Sequence, residues 1–272
     1  MRRFLAVMAV MCSGLASAQA AEIWRTVGFQ APESVIVDRE RQRLIVSNVN
    51  GAPDAADGNG FLSLLTPDGK LAEAQWVTGM DAPKGMALVG GKLYVADIKR
   101  VHIVDIVTGK IEQTVVPEGA VFLNDVAADE EGIVYVSDTG GNAIFRVNGE
   151  TAEIWLKDEA LNAPNGLLID GQRLLVVSWG GDKKGSLLAV DIASKSASSV
   201  AAEIGNLDGL AKVGDTLFFT DFMGGKLFKF TGGASPEVAI GVKIGAADIG
   251  TDGKTIFVPM MNDGEVVAIT PD

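Results

Sequence analysis

The sequence predicts an all-β fold, a six-bladed β-propeller of four-stranded blades closed by an N-terminal strand that completes the last blade. Three observations lead there. A segment recurs six times at intervals of about forty residues, opening with APESVIV, APKGMAL, FLNDVAA, APNGLLI, NLDGLAK and GAADIGT. A turn and a β-branched or aromatic-rich run follow each opening, and repeats of this length built from several short strands are propeller blades. Finally, AEIWRT at Ala21 to Thr26 nearly copies AEIWLK at Ala152 to Lys157, although it stands ahead of the first repeat.

Taken in chain order, the first segment reads as a leader. Arg2 and Arg3 are basic, Phe4 to Leu15 are mostly apolar, and Ala18-Gln19-Ala20 has the small-x-small cleavage pattern. A cleaved signal over residues 1–20 is expected, then a single domain over 21–272, placed in the periplasm or secreted. The apolar run is shorter than the roughly twenty residues a membrane span needs, and no later segment supplies one. Cys12 is the only cysteine and would leave with the leader. No disulfide, cysteine nucleophile or thiolate metal site is therefore expected. Loss of Arg2 and Arg3 would leave 21 basic residues against 35 acidic ones, a net charge of −14. Such acidity argues against nucleic acid or an anionic membrane as partner and is compatible with binding cations.

The blades come next. Second strands read RLIVSN, KLYVAD, IVYVSD, RLLVVS, TLFFTD and TIFVPM, and third strands FLSLL, VHIVDI, NAIFRV, GSLLAV, KLFKF and EVVAI. Turn clusters such as Pro67-Asp68-Gly69 punctuate them. Outer strands follow in five repeats, but the sixth runs out of chain, so AEIWRT is expected to fill its place and remove a sheet edge. Inner strands all begin at one mouth of the channel. Glu33, Lys84, Asn124, Asn165, Asp208 and Asp248, distant in sequence, are expected to form one ring there. Loops between second and third strands lie on the same face and carry Lys99, Arg100, Trp179, Phe222, Met223, Met260 and Met261. Blade one has an insertion there, Asn50 to Asn59 (NGAPDAADGN), read as a mobile flap.

Much chemistry can be set aside. The one histidine, His102, falls on a third strand between Val101 and Ile103, away from the channel, so neither a Ser-His-Asp triad nor a His-rich zinc site can be assembled. No Gly-rich phosphate loop links a strand to a helix. What remains is an oxygen-rich ring. Glu33, Asn124, Asn165 and Asp208 offer carboxylate and amide oxygens without imidazole or sulfur. Hard donors of this kind suit calcium, magnesium or manganese, and amide carbonyls in a flexible set favour calcium. Lys84 plus a divalent cation would balance Glu33, Asp208 and Asp248.

These residues carry a resemblance. APES-V, LND, APNGL and LDGL, in order and at blade spacing, resemble the motifs of blades one, three, four and five in the regucalcin/gluconolactonase family of six-bladed propellers. The resemblance implies a divalent metal held by Glu33, Asn165 and Asp208, with Asn124 as ligand or close neighbour. It also implies a metal-dependent lactonase or related ester hydrolase with Asp208 as base. The chain departs from the sugar-lactone hydrolases of that family at Phe122, where they carry an arginine for substrate hydroxyls. Lys84 projects from blade two, where it could clamp a substrate anion or meet an oxyanion. Phe122, Trp179, Phe222 and Met223 would make an apolar mouth, and the first three, with Asn124, are the expected substrate contacts. A small lactone or ester is thus one expectation. The other is a non-catalytic binding scaffold with a structural ion, since YVSDTGGN at Tyr135 to Asn142 resembles repeats of interaction propellers, and propellers host both classes.

Overall fold

Second and third strands of the repeats are apolar almost without interruption, as expected of strands packed on both faces by neighbouring blades. The computed structural model shows this: Leu44, Ile45 and Val46 of blade one are all buried, as are Val134, Tyr135 and Val136 of blade three. It describes residues 20–181, 183–233 and 235–271. The expected leader lies, Ala20 apart, outside the described residues.

Six antiparallel four-stranded sheets follow one another around the ring. Inner strands are Pro32–Asp38, Pro83–Val89, Leu123–Ala128, Pro164–Asp170, Leu207–Val213 and the short Gly250–Thr251. Blade six continues through Ile256–Met260 and Glu265–Thr270, and its fourth strand is Ala21–Val27. Trp24 pairs with Ala268 and Ala21 with Thr270, so the ring closes as the AEIWRT copy predicted. Arg25 forms an ion pair with Glu265 across this seam. No helix among the described residues is long and apolar enough to cross a membrane.

Outer strands explain the recurring tryptophans. Trp24 lies across the turn of blade one at Gly69, where a β-carbon would come within 2.6 Å of the indole. Trp76 of blade one lies likewise on Gly109 of blade two, capped by the Arg43 guanidinium 4.6 Å from its ring. Trp155 of blade three reaches toward Lys195 on the corresponding turn of blade four. One outer-strand aromatic thus spans the gap to the next blade's turn.

Every one of the first five inner strands carries a register shift just after its first residue, for example between Pro32 and Val35 and between Leu207 and Leu210. A β-bulge re-aims side chains. Here it turns the second residue of the strand into the channel mouth. The third residue sits one layer deeper, where neighbouring inner strands nearly touch. At Gly166 a β-carbon would lie 2.3 Å from the Asp208 carbonyl oxygen, and at Gly209 2.3 Å from the Ile249 nitrogen. This close approach accounts for the glycines in APNGL and LDGL.

Candidate metal centre at the channel mouth

The bulges are held by hydroxyls from the second strands. Ser47 accepts the Ser34 N–H at 2.9 Å, Ser137 the Asp125 N–H at 2.8 Å and Thr220 the Gly209 N–H at 2.9 Å. The residues just before these three amides are Glu33, Asn124 and Asp208. The last residue of the second strand caps the turn into the same blade. Asp97 accepts the N–H groups of Asp81 and Ala82, and Asp138 those of Val121 and Phe122. The terminal pairs SN, SD and TD are the sequence signal for this framework.

The mouth is a cavity of about 530 Å³ walled by Glu33, Lys84, Asn124, Asn165 and Asp208, with Phe122, Trp179 and Phe222 above them. Trp179 and Phe222 pack together, ring centroids 5.5 Å apart. Ala31, Gly51, Pro53, Thr139, Met261 and Asn262 complete the wall; Thr139 and Pro53 in particular were not anticipated from the sequence.

Two expectations are corrected. Asp248 is not in the ring: the Ala246–Met260 bridge and the Gly250–Phe257 pairing put Ala247 where other blades carry their mouth residue. Asp248 instead lies one layer down, beside Asp125, and accepts from Ser34 Oγ at 2.5 Å. Met260 is core, 1% exposed, and Met223 is 54% exposed and outside the cavity wall, so the apolar lining is Phe122, Trp179, Phe222 and Met261. Arg100 pairs with Asp81.

Lys84 is buried and tied down. Its Nζ donates to the carbonyls of Pro53 and Ala82, each at 2.9 Å, and lies 4.6 Å from the Phe122 ring centroid. Pro53 belongs to the blade-one insertion, so the ammonium fastens that loop at the mouth. The loop neck is closed by Asn50 donating to the Asn59 carbonyl. His102 lies in blade two, hydrogen-bonded to Thr114 and Asp97 at 2.9 Å each.

The electrostatics are unusual. Burial, then Asp208 and Asp248, push the Glu33 carboxyl well above the usual range, with Lys84 pulling the other way. Burial and then Asp248 push Asp208 up, against the Asn165 amide. Asp125 is raised by burial and Asp248, and Asp248 itself is raised by burial to about 7. Four buried acids thus line one channel with one lysine for company.

Among the described residues, the buried side-chain polar atoms without a hydrogen-bond partner are Glu33 Oε2, Asn124 Oδ1, Asn165 Oδ1 and Asp208 Oδ1. Native proteins leave few such atoms. Here they come from four different blades and share one mouth. The two amide oxygens can only accept, and the two carboxyl oxygens accept when ionised, so a donor or a cation would satisfy the set. Two carboxylates and two amide carbonyls, with no sulfur or imidazole, form a donor set that fits a hard divalent ion. No group of three or more His, Cys, Asp or Glu is placed to share an ion among the described residues, so the amides are half of the set. A second cavity, of about 560 Å³, opens on the outer edge of blade four between exposed residues such as Glu159, Lys184 and Ser199, and holds none of these unpartnered atoms.

A six-bladed propeller with an oxygen-lined mouth is the class that fold and site define. No family model and no curated protein matches the sequence. Solved structures match its fold. A gluconolactonase from Xanthomonas campestris superposes with a TM-score of 0.69 at 15% identity, covering 90% of this chain and 87% of that one. Virginiamycin B lyase from Staphylococcus aureus, as a catalytically inactive histidine-to-alanine variant with quinupristin, gives 0.65 at 17% identity over 93% and 99%. A chain of a nidogen/laminin complex gives 0.62 at 14% identity over 84% and 85%. At these identities the likeness establishes the fold.

Proposed function

We propose that the protein is an exported hydrolase of a small lactone or ester that works with a divalent cation, calcium first among the candidates, at the channel mouth. The observation that carries this is the set of four unpartnered buried oxygens on Glu33, Asn124, Asn165 and Asp208. These residues would hold the ion. A bound divalent cation would polarise a carbonyl and acidify water.

The chain's own residues do the rest. Asp208, whose carboxyl is pushed up by burial and by Asp248, is the proton acceptor of the set. Glu33 feels the Lys84 charge, which opposes the upward push of burial, Asp208 and Asp248 on its carboxyl, and a bound cation would favour its ionised form in the same way. Phe122, Trp179, Phe222 and Met261 exclude water and favour an apolar substituent over a sugar. Lys84 contributes positive charge, which burial disfavours and the neighbouring Glu33, Asp97 and Asp54 favour. A substrate anion could meet it directly only by displacing the Pro53 carbonyl.

Two readings compete with this one. Lyase chemistry dependent on a histidine, as in the virginiamycin B enzyme, has no candidate here, because His102 is committed to Thr114 and Asp97. A non-catalytic scaffold with a structural ion is supported by the nidogen/laminin likeness. The test is a panel of lactones and aryl esters, with calcium and with chelator, alongside melting curves. Calcium should raise the melting temperature and support hydrolysis of apolar esters or lactones above gluconolactone, and Asp208→Ala should lose both effects. A calcium shift without any turnover would favour the scaffold. No shift at millimolar calcium would reject the cation site.

A further inference from the structure

Thr139 belongs to YVSDTGGN, and the neighbouring polar residues of that run have local roles. Ser137 holds the bulge at Asp125, Asp138 caps Val121 and Phe122, and Asn142 accepts the N–H of Ala163 at 2.6 Å. Thr139 alone reaches the ring. Its Oγ1 donates to the Pro164 carbonyl at 2.7 Å and receives the Asn124 amide, Nδ2 to Oγ1, at 3.2 Å.

A hydroxyl has a single proton. A carbonyl can only accept, so that proton is committed to Pro164, and the face of Oγ1 turned to Asn124 can only accept in its turn. The Asn124 NH2 is therefore drawn to Thr139 and its Oδ1 is turned away, where it becomes one of the four unpartnered oxygens. With the amide reversed, two acceptor oxygens would face each other and an NH2 would confront a cation. Pro164 directly precedes Asn165, so the same hydroxyl grips the backbone that presents a second amide.

We propose that Thr139 is a positioning residue that fixes the sense of the Asn124 amide, and holds the strand start carrying Asn165, so that both carbonyl oxygens face a divalent cation. The inference rests on reading the ring as a cation site. Outer-shell partners of this kind typically govern metal affinity by about 10–100-fold.

The experiment is calorimetric titration of calcium chloride into chelator-stripped full chain. Thr139→Val should weaken calcium binding by about 10-fold or more, while Thr139→Ser, which keeps the hydroxyl, should retain most of the wild-type affinity. In an Asn124→Asp background either oxygen can face the ion, so adding Thr139→Val should cost clearly less than in the wild type, the remainder reporting the lost bond to Pro164. Wild-type affinity in Thr139→Val would overturn the proposal. So would equal losses in Thr139→Val and Thr139→Ser, which would assign the effect to packing, or an undiminished loss in the Asn124→Asp background. Absence of calcium binding by the wild type would instead remove the cation site on which the proposal stands.

Discussion

At the scale of single residues, a one-position shift decides which acids face the mouth. In GAADIGT the third letter of the opening is Ala247 and the fourth Asp248, whereas the other openings place Glu33, Lys84, Asn124, Asn165 and Asp208 third. Asp248 therefore falls on the layer of Ser34 and Asp125, where neighbouring inner strands close in and water is scarce. Its carboxyl, raised by burial to about 7, binds a proton in the folded chain at pH values where the unfolded chain has already lost it. The native state thus holds more protons between the ordinary value and about 7, and stability falls as pH rises through that interval. Asp248→Asn should flatten this slope, with an effect on the order of a few kcal/mol across the interval. Melting temperatures in calcium-free buffer at pH 5 and pH 8 measure it. An unchanged slope would show that Asp248 is not the group responsible.

At the scale of elements, the end of the second strand organises the start of the inner strand in blades one, two, three and five. Asn48, Asp97, Asp138 and Asp221 accept backbone N–H groups from that turn, at Gln30, Asp81 and Ala82, Val121 and Phe122, and Asn206. In blade two the cap is itself braced by His102. Burial alone would raise the Asp97 carboxyl, but the hydrogen bonds from His102, Asp81 and Ala82 outweigh it and hold the carboxyl below its ordinary range. Because the folded value is depressed, this contribution is present at neutral pH and is lost as pH falls below about 4. Asp97→Ala should cost about 2–4 kcal/mol at pH 7, since two backbone donors and an imidazole lose their partner. The gap in urea midpoint from wild type should narrow as pH drops toward 3. A constant gap would mean the loss is packing rather than charge-assisted bonding.

At the scale of the whole molecule, closure depends on a strand from the opposite end of the described chain. Ala21–Val27 pairs along Glu265–Thr270, and Trp24 lies on Phe257, centroids 5.8 Å apart, and on the Gly69 turn of blade one. Deleting Ala21 to Thr26 would expose the edge of blade six and forfeit that aromatic contact, worth about 3 kcal/mol by analogy with large-to-small substitutions. At a few degrees per kcal/mol for a domain of this size, a fall of roughly 10 °C in melting temperature is expected, with self-association visible by size exclusion. A truncated chain with wild-type melting and a monomeric profile would show that the seam carries little of the ring's stability.

What the sequence determines by itself is whatever repeats. The period of about forty residues, the apolar second and third strands and the AEIWRT copy were sufficient for six blades and their closure, because strand burial between blades imposes one pattern six times. The APNGL and LDGL motifs marked the inner strands, although the reason for their glycines, the near contact of adjacent strands around the channel, is a property of the assembled ring. The site is only half legible. Glu33, Asn124, Asn165 and Asp208 stand out as oxygen donors at equivalent positions. Their unpartnered oxygens exist only once four blades bring them to one buried mouth. Lys84 looked like a free cation until the fold bound it to Pro53 and Ala82, and Thr139, in a run that resembles repeats of interaction propellers, gained its place only between Asn124 and Pro164. A hydrogen bond has a direction and a partner, and Lys84 with Pro53, or Thr139 with Pro164, become partners only when neighbouring blades are packed side by side.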